Sequence, residues 1–163
     1  MHLWQLNKWK SFYQSIECRR GLRVRYEKGV DPELKKCIAD FCQWIRREFD
    51  FPIRVVIYVK NTNLIKAADG EMVVGTFLGP FDRTLEPYIR VAMGDYDSLV
   101  KELGSFNAVA CELECIAHEL SHYFQWINGL KLTPKGEERQ ASYYANAIVL
   151  EYIEISNISG KLG

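Results

Sequence analysis

The chain has 163 residues, enough for one domain with a sizeable core but short for two. Hydrophobic residues make up 48 % of the sequence, a globular composition that excludes a disordered chain. The 21 basic and 21 acidic side chains cancel, which argues against a protein that holds nucleic acid through bulk positive charge.

The cysteines and the lengths of the apolar segments indicate the cellular compartment of the protein. The 5 cysteines are odd in number and form no CxxC pair. Cys37, Cys111 and Cys115 fall on predicted apolar helix faces, where a reduced thiol packs as a small hydrophobic group. No apolar run approaches the roughly 20 residues of a membrane helix, and the first residues lack the apolar run of a signal peptide. We therefore predict a cytoplasmic protein with no membrane partner.

The first part of the chain predicts a helix, a strand and a second helix. Apolar residues recur at helical spacing over 3–17, and residues 21–29 alternate like a short strand closed by glycine. Asp31 has the place of an N-cap before Pro32, and the apolar stripe that follows ends before Pro52.

Strands are predicted next, at 53–59, 72–78 and 87–93. These segments are rich in β-branched or aromatic residues and are bounded by Gly, Pro or Asp. The intervals between them predict antiparallel connections.

Helices dominate the last third. A short helix is predicted near 96–103, a long one over 107–128 with Gly129 as its C-cap, and a final one over about 133–156. We thus predict an α+β protein with a small, mainly antiparallel sheet. The short connection after Gly129 predicts that the last two helices pack antiparallel.

One domain accounts for residues 1–163. Its helices and a short strand lie in 1–50, its sheet in 53–94 and its long helices in 95–163. No internal repeat or low-complexity segment marks another boundary.

The stretch HELSH, residues 118–122, has the form of a metal-binding motif. On a helix, residues four apart share a face about 6 Å from each other, so His118 and His122 can present two nitrogens to one zinc ion. Glu119 points to the side of this pair and can reach a water held on the metal. Two histidines on a helix by chance are the simpler reading, but two unpaired imidazoles on that largely apolar surface would be costly to bury. The motif predicts one Zn²⁺ per chain, with Glu119 as the catalytic base.

Cys111 and Cys115 lie on nearly the same helical stripe as the two histidines. Cys111 and His122 are about 16 Å apart along a helix axis, whereas bonds to zinc are about 2.0 to 2.3 Å long. Four ligands from one straight helix cannot converge on one ion. The two cysteines are therefore predicted to pack in the core.

A third protein ligand is predicted on the final helix. His2 is set aside because a terminal segment is expected to be distant or mobile. Antiparallel packing brings the start of the final helix close to His122, where Glu137 and Glu138 flank its apolar face on opposite sides. Helical periodicity leaves the choice between these glutamates open, and acidic residues in a first turn also occur for the helix dipole alone.

HELSH and the following ERQASYYA, residues 138–145, resemble the gluzincin metallopeptidases, most closely the minimal gluzincins and the ImmA/IrrE-type intracellular peptidases. In that group a glutamate three residues before an alanine is the third zinc ligand, which corresponds to Glu138 before Ala141. The resemblance covers about the last third of the chain, and upstream it is an agreement in element order. It implies a zincin-like fold, a His118/His122/Glu138 zinc site and hydrolysis of a protein or peptide substrate.

The resemblance also implies roles around the metal. Gln140 and Ser142 stand where the group often has acidic residues or asparagine, so weaker support of the ligand histidines is expected. The strand 87–93 is expected at the sheet edge beside the cleft, where a substrate could add as a further strand. The candidate donors to an oxyanion, all of a type more often found in cores, are Tyr123, Tyr143 and Tyr144.

Other functions are weighed against this one. A catalytically weak or inactive zinc-binding module, acting through a regulatory protein partner, would keep the ligands but would not need Glu119. The aromatic N-terminal helix or the tail SNISGKLG could hold a peptidase latent. Nucleic-acid binding by the arginines of residues 18–26 is disfavoured, because alternating arginines on a strand more usually form a solvated face.

Overall fold

A mixed sheet with its helices packed on one face forms the fold. The structure, a computed structural model, describes residues 2–13 and 20–156. Its helices are α1 (Trp9–Phe12), α2 (Pro32–Glu48), α3 (Tyr96–Leu103), α4 (Ser105–Ile127) and α5 (Pro134–Ser156). Its strands are β1 (Leu22–Tyr26), β2 (Val55–Lys60), β3 (Ile65–Lys66), β4 (Met72–Val73), β5 (Gly75–Leu78) and β6 (Tyr88–Ala92). The predicted α+β class is confirmed.

The main sheet has the strand order β1-β2-β6-β5. β1 pairs in parallel with β2, and β2 pairs in parallel with β6, whereas β5 is antiparallel to β6. The prediction of a mainly antiparallel sheet is therefore wrong. Parallel neighbours require a crossover connection, and α2 supplies one between β1 and β2. The small β3–β4 ladder and β5 lie in the connection from β2 to β6.

The edge of the sheet is also different from the predicted one. β6 lies between β2 and β5, so the expectation that residues 87–93 form the edge is wrong. The edge strand is β5, whose pairing with β6 runs from Gly75 opposite Val91 to Leu78 opposite Tyr88. Within residues 2–13 and 20–156, no strand of the main sheet pairs with its other side.

The helix boundaries follow local signals, as predicted. Asp31 caps α2, because its Oδ1 accepts hydrogen bonds from the backbone N–H of Glu33 at 2.9 Å and of Leu34 at 3.2 Å. Gly129 follows α4 with φ at 61°, the left-handed conformation that glycine adopts most easily after a helix. α4 begins at Ser105, slightly before the predicted residue 107.

The predicted helix over 3–17 is found in pieces. A 3-10 turn spans Leu3–Gln5 and α1 is a single turn, while residues 14–19 lie outside the described ranges. Each piece is held by a tertiary contact. The indole of Trp4 donates to Ser121 Oγ at 2.9 Å, and the backbone N–H of Trp9 donates to Asn128 Oδ1 at 3.2 Å. Both contacts are to α4 or its C-cap.

One face of the sheet makes the core. Along β2, Val55, Ile57 and Val59 are buried and the residues between them are half-buried. The buried apolar side chains of α2 and α4 belong to the same hydrophobic cluster as Val55, Ile57 and Val59. No helix within the described ranges is long and apolar enough to cross a membrane.

Candidate metal centre

Antiparallel packing of α4 and α5 builds the centre. Going backwards along α4, Gln125 meets Glu137, His122 meets Glu138 and His118 meets Ser142. The short turn after Gly129 and the helix-initiating Pro134 set this register. The prediction of antiparallel packing is confirmed.

Three side chains converge at this interface. The Nε2 atoms of His118 and His122 are 3.2 Å apart. The carboxylate of Glu138 lies 3.1 Å from the first through Oε2 and 3.0 Å from the second through Oε1. Ligands about 2.0 to 2.1 Å from a tetrahedral zinc ion are about 3.3 Å from one another. The donor set and its spacing therefore fit a metal ion held by His118, His122 and Glu138.

The structure distinguishes between the two glutamates. Glu138 is in the group of potential ligands, whereas Glu137 lines the cleft and offers its backbone oxygen to Gln125. His2 lies outside the group, as predicted. Its ring packs against that of Tyr144 in a tilted arrangement, with the centroids 4.5 Å apart, so the terminal segment lies against α5.

Gln125, which the sequence analysis did not single out, orients His122. Its amide nitrogen donates to the backbone oxygen of Glu137 and to Gln140 Oε1, both at 3.0 Å. Because those atoms accept, the amide oxygen of Gln125 is the atom that faces His122 Nδ1, at 2.8 Å. His122 Nδ1 must then carry the proton, and Nε2 presents its lone pair to the ligand group. Gln140, which departs from the pattern of the gluzincins, therefore helps to fix the amide of Gln125.

His118 has weaker support. Ser142 Oγ lies 3.4 Å from its Nδ1, at the outer limit of a hydrogen bond. Burial lowers the pKa of His118 and the neighbouring His122 lowers it further, while Glu138 acts in the opposite direction. The neutral imidazole that a metal requires is therefore favoured.

Glu119 lines the same cleft from a buried position on α4. Burial raises its pKa to about 8, and the negative charge of Glu138 adds to the shift. Gly75 of β5 leaves the room for this carboxylate, since a Cβ at that position would come within 2.9 Å of Glu119 Oε1. The edge strand and the side chain of Glu119 are therefore in contact.

A cleft of about 1090 Å³ contains the ligand group. β5, α4 and the start of α5 all line it, with Trp126 and Arg83 toward one end. Cys111 is exposed and Cys115 is half-buried in this cleft, so the prediction that both pack in the core is wrong for Cys111 and only partly right for Cys115. Cys37, by contrast, is buried as predicted.

The three tyrosines considered as oxyanion donors lie elsewhere. The hydroxyl of Tyr123 is fully buried, where it donates to the backbone oxygen of Ile53 at 2.6 Å and accepts from its N–H at 3.2 Å. Tyr143 and Tyr144 do not line the cleft. Tyr123 thus joins α4 to the segment just before β2, and none of the three tyrosines lines the cleft.

Comparisons with protein-family models, curated proteins and solved structures gave no match. What defines the class of the molecule is the site itself. It is an α+β protein with a His118/His122/Glu138 group able to hold a metal ion and with Glu119 in the same cleft.

Proposed function

We propose that the chain is a zinc-dependent metallopeptidase of the gluzincin type. His118, His122 and Glu138 bind one Zn²⁺ per chain, and Glu119 is the general base. The observation that carries the proposal is the spacing of the three ligand groups, with each contact between 3.0 and 3.2 Å, in a cleft that Glu119 also lines. Two imidazoles and a carboxylate with an open fourth position suit catalytic zinc.

The metal and the residues around it have separate roles in the proposed reaction. Bound zinc supplies Lewis acidity, which polarises a carbonyl and lowers the pKa of water toward about 7. In its ionised form, Glu119 takes the proton from the attacking water on one of its carboxylate oxygens and delivers it to the leaving amine. Gln125 keeps the lone pair of His122 directed into the ligand group. Gly75 keeps the space beside Glu119 open.

The substrate class in this proposal is a protein or peptide. β5 supports it, because an edge strand has unpaired N–H and C=O groups on which an extended peptide can add as another strand. Since Gly75 touches Glu119, a peptide on β5 has its backbone close to the base. This role was expected for residues 87–93, and we propose it for β5 because β5 is the edge strand.

The compartment is part of the proposal. The described cysteines Cys37, Cys42, Cys111 and Cys115 are all free. Free thiols beside a zinc site favour a reducing environment such as the cytoplasm.

A second candidate is a zinc-binding module with weak or no catalysis that acts through a protein partner. The observation in its favour is the support of His118, where a serine hydroxyl at 3.4 Å replaces the close carboxylate or carbonyl that usually fixes a ligand histidine. Glu119, in the wall of the cleft, favours the peptidase.

Elemental analysis of the purified protein tests the metal site. We expect one zinc per chain in the wild type and in Glu137→Gln, and a large loss in Glu138→Gln. Zinc loss confined to Glu137→Gln would contradict the ligand assignment, and absence of zinc even after titration would end the peptidase proposal.

Hydrolysis of a peptide library tests the activity, with cleavage read by mass spectrometry. The zinc-loaded wild type should cleave, and Glu119→Gln should keep its zinc and lose cleavage by at least about 100-fold. Full zinc occupancy without cleavage by the wild type would favour the zinc-binding module.

A further inference from the structure

Arg83 lies at one end of the cleft, where its guanidinium is stacked on an aromatic ring. Its guanidinium lies over the ring of Phe12, with 4.8 Å from Cζ to the ring centroid. Its Nη1 lies against Gly129, where an added Cβ would come within 2.7 Å. A stacked guanidinium keeps its position while its N–H groups remain available at its edges.

Among the residues that the structure describes, Arg83 has no acidic partner. Within residues 2–13 and 20–156, no hydrogen bond or ion pair joins its side chain to another residue. The other charged side chains that line the cleft, apart from the histidines, are all acidic: Glu71, Glu114, Glu119, Glu137 and Glu138. The cleft therefore repels carboxylates except at its metal group and at Arg83.

We propose that Arg83 forms a carboxylate-binding subsite, so that the preferred substrate presents a carboxylate at this end of the cleft. A guanidinium offers two parallel N–H groups that match the two oxygens of a carboxylate. This inference rests on the proposed peptidase function and adds a substrate preference to it.

The directions of β5 and α4 indicate which part of the substrate reaches Arg83. Gly75 at the start of β5 lies against Cys115 and Glu119, and Gly79 just after β5 lies against Trp126. The strand and the helix therefore run the same way, toward the Arg83 end. A peptide added antiparallel to β5 runs from the Arg83 end toward Cys115, so its residues N-terminal to the cleaved bond lie near Arg83.

The distance along the helix sets the position more closely. Gly129, which Arg83 touches, is seven residues beyond His122, or roughly 10 Å along a helix axis. An extended peptide rises about 3.3 Å per residue. The acidic side chain therefore belongs about two or three residues before the cleaved bond. A free C-terminal carboxylate could supply the same chemistry only if the peptide ran parallel to β5.

Two matched probes test the subsite without requiring turnover. Each is an N-acetylated tripeptide hydroxamate, whose hydroxamate binds the metal and whose residues extend toward Arg83. The first carries glutamate two residues before the terminal residue, and the second carries glutamine there. We expect the zinc-loaded wild type to bind the glutamate probe about 10-fold more tightly by calorimetry.

Substitutions of Arg83 test whether this residue causes the preference for the glutamate probe. In Arg83→Gln the ratio of the two dissociation constants should fall to about 1. In Arg83→Lys the ratio should be intermediate, because lysine keeps the positive charge but lacks the paired N–H groups of a guanidinium. Arg47→Gln, an exposed arginine of α2 outside the cleft, should keep the wild-type ratio. Zinc content is measured for every variant, so that a lost ratio is not confused with a lost metal.

The outcomes separate the two proposals. Equal affinity of both probes for the zinc-loaded wild type, or a full preference in Arg83→Gln, would overturn the subsite while leaving the peptidase proposal intact. No zinc uptake at all would overturn the peptidase proposal, and the subsite with it.

Digestion of a peptide library by the wild type identifies the source of the carboxylate. Internal cleavage shortly after an acidic residue indicates a side chain, and release of C-terminal residues indicates the chain terminus. Cleavage with no dependence on a carboxylate at either place would overturn the inference.

Discussion

Replacing Glu112 with glutamine is expected to stabilise the protein, and increasingly so as the pH rises. Glu112 lies on α4 with 4 % of its surface exposed. Burial raises its pKa from 4.5 to about 8, and the negative charge of Asp95 adds to the shift. Glutamine has the same shape and cannot ionise, so it removes the cost of burying a charge or of retaining a proton there.

The sign and the size follow from the two pKa values. Below pH 4.5 the group is neutral in both states and costs nothing. Between 4.5 and 8 the unfolded chain ionises while the folded chain keeps its proton, so the free energy of unfolding falls as the pH rises. Each pH unit in this window is worth at most about 1.4 kcal/mol. We expect the advantage of Glu112→Gln to grow by about 2 to 3 kcal/mol between pH 5 and pH 8.

Urea denaturation of both proteins at a series of pH values measures this advantage. Zinc binding also depends on pH, but its effect cancels in the difference between wild type and variant when both carry the metal. Glu102→Gln, at an exposed position of α3, is the control and should show a flat difference. A difference for Glu112→Gln that does not change between pH 5 and pH 8 would refute the reasoning.

Further substitutions test the supports of the site. Gln125→Leu should weaken zinc affinity about 10- to 100-fold in a chelator competition, because His122 loses the acceptor that fixes its tautomer; unchanged affinity would mean that the packing alone orients the ring. Gly75→Ala should leave zinc content intact and reduce hydrolysis by about 10- to 100-fold, because the new methyl group displaces the Glu119 carboxylate; loss of zinc together with activity would contradict this explanation. Tyr123→Phe should cost about 1 to 3 kcal/mol of unfolding free energy, since it leaves both backbone groups of Ile53 without their partner, and a neutral result would indicate that water replaces the hydroxyl.

Local signals allowed the helices and the histidine pair to be predicted. Asp31 before Pro32 and Gly129 after α4 act within a few residues of the chain, and a cap has the same meaning in any fold. The pair His118 and His122 is also local, because four residues on a helix always bring two side chains to one face. These features needed no knowledge of the rest of the molecule.

Features that depend on distant parts of the chain could not be predicted in this way. Strand pairing brings β2 beside β6 across an insertion that contains β3, β4 and β5, and nothing local indicates that β5 takes the edge. Gln125 is an unremarkable helical residue until α5 supplies the acceptors that set its amide. The choice of Glu138 over Glu137 likewise depends on the rotation of α5 against α4, which periodicity left open.

The short N-terminal segment has a practical consequence for handling the protein. Ser121 lies within HELSH, yet its hydroxyl accepts from the indole of Trp4 and donates to the backbone oxygen of Ala117, both at 2.9 Å. The first residues of the described chain thus help to hold the metal-binding helix α4 in place. An affinity tag fused closely ahead of Trp4, or proteolysis of this segment during purification, is expected to disturb the contact between Trp4 and Ser121. Preparations that differ at this end are therefore expected to differ in how firmly they retain metal.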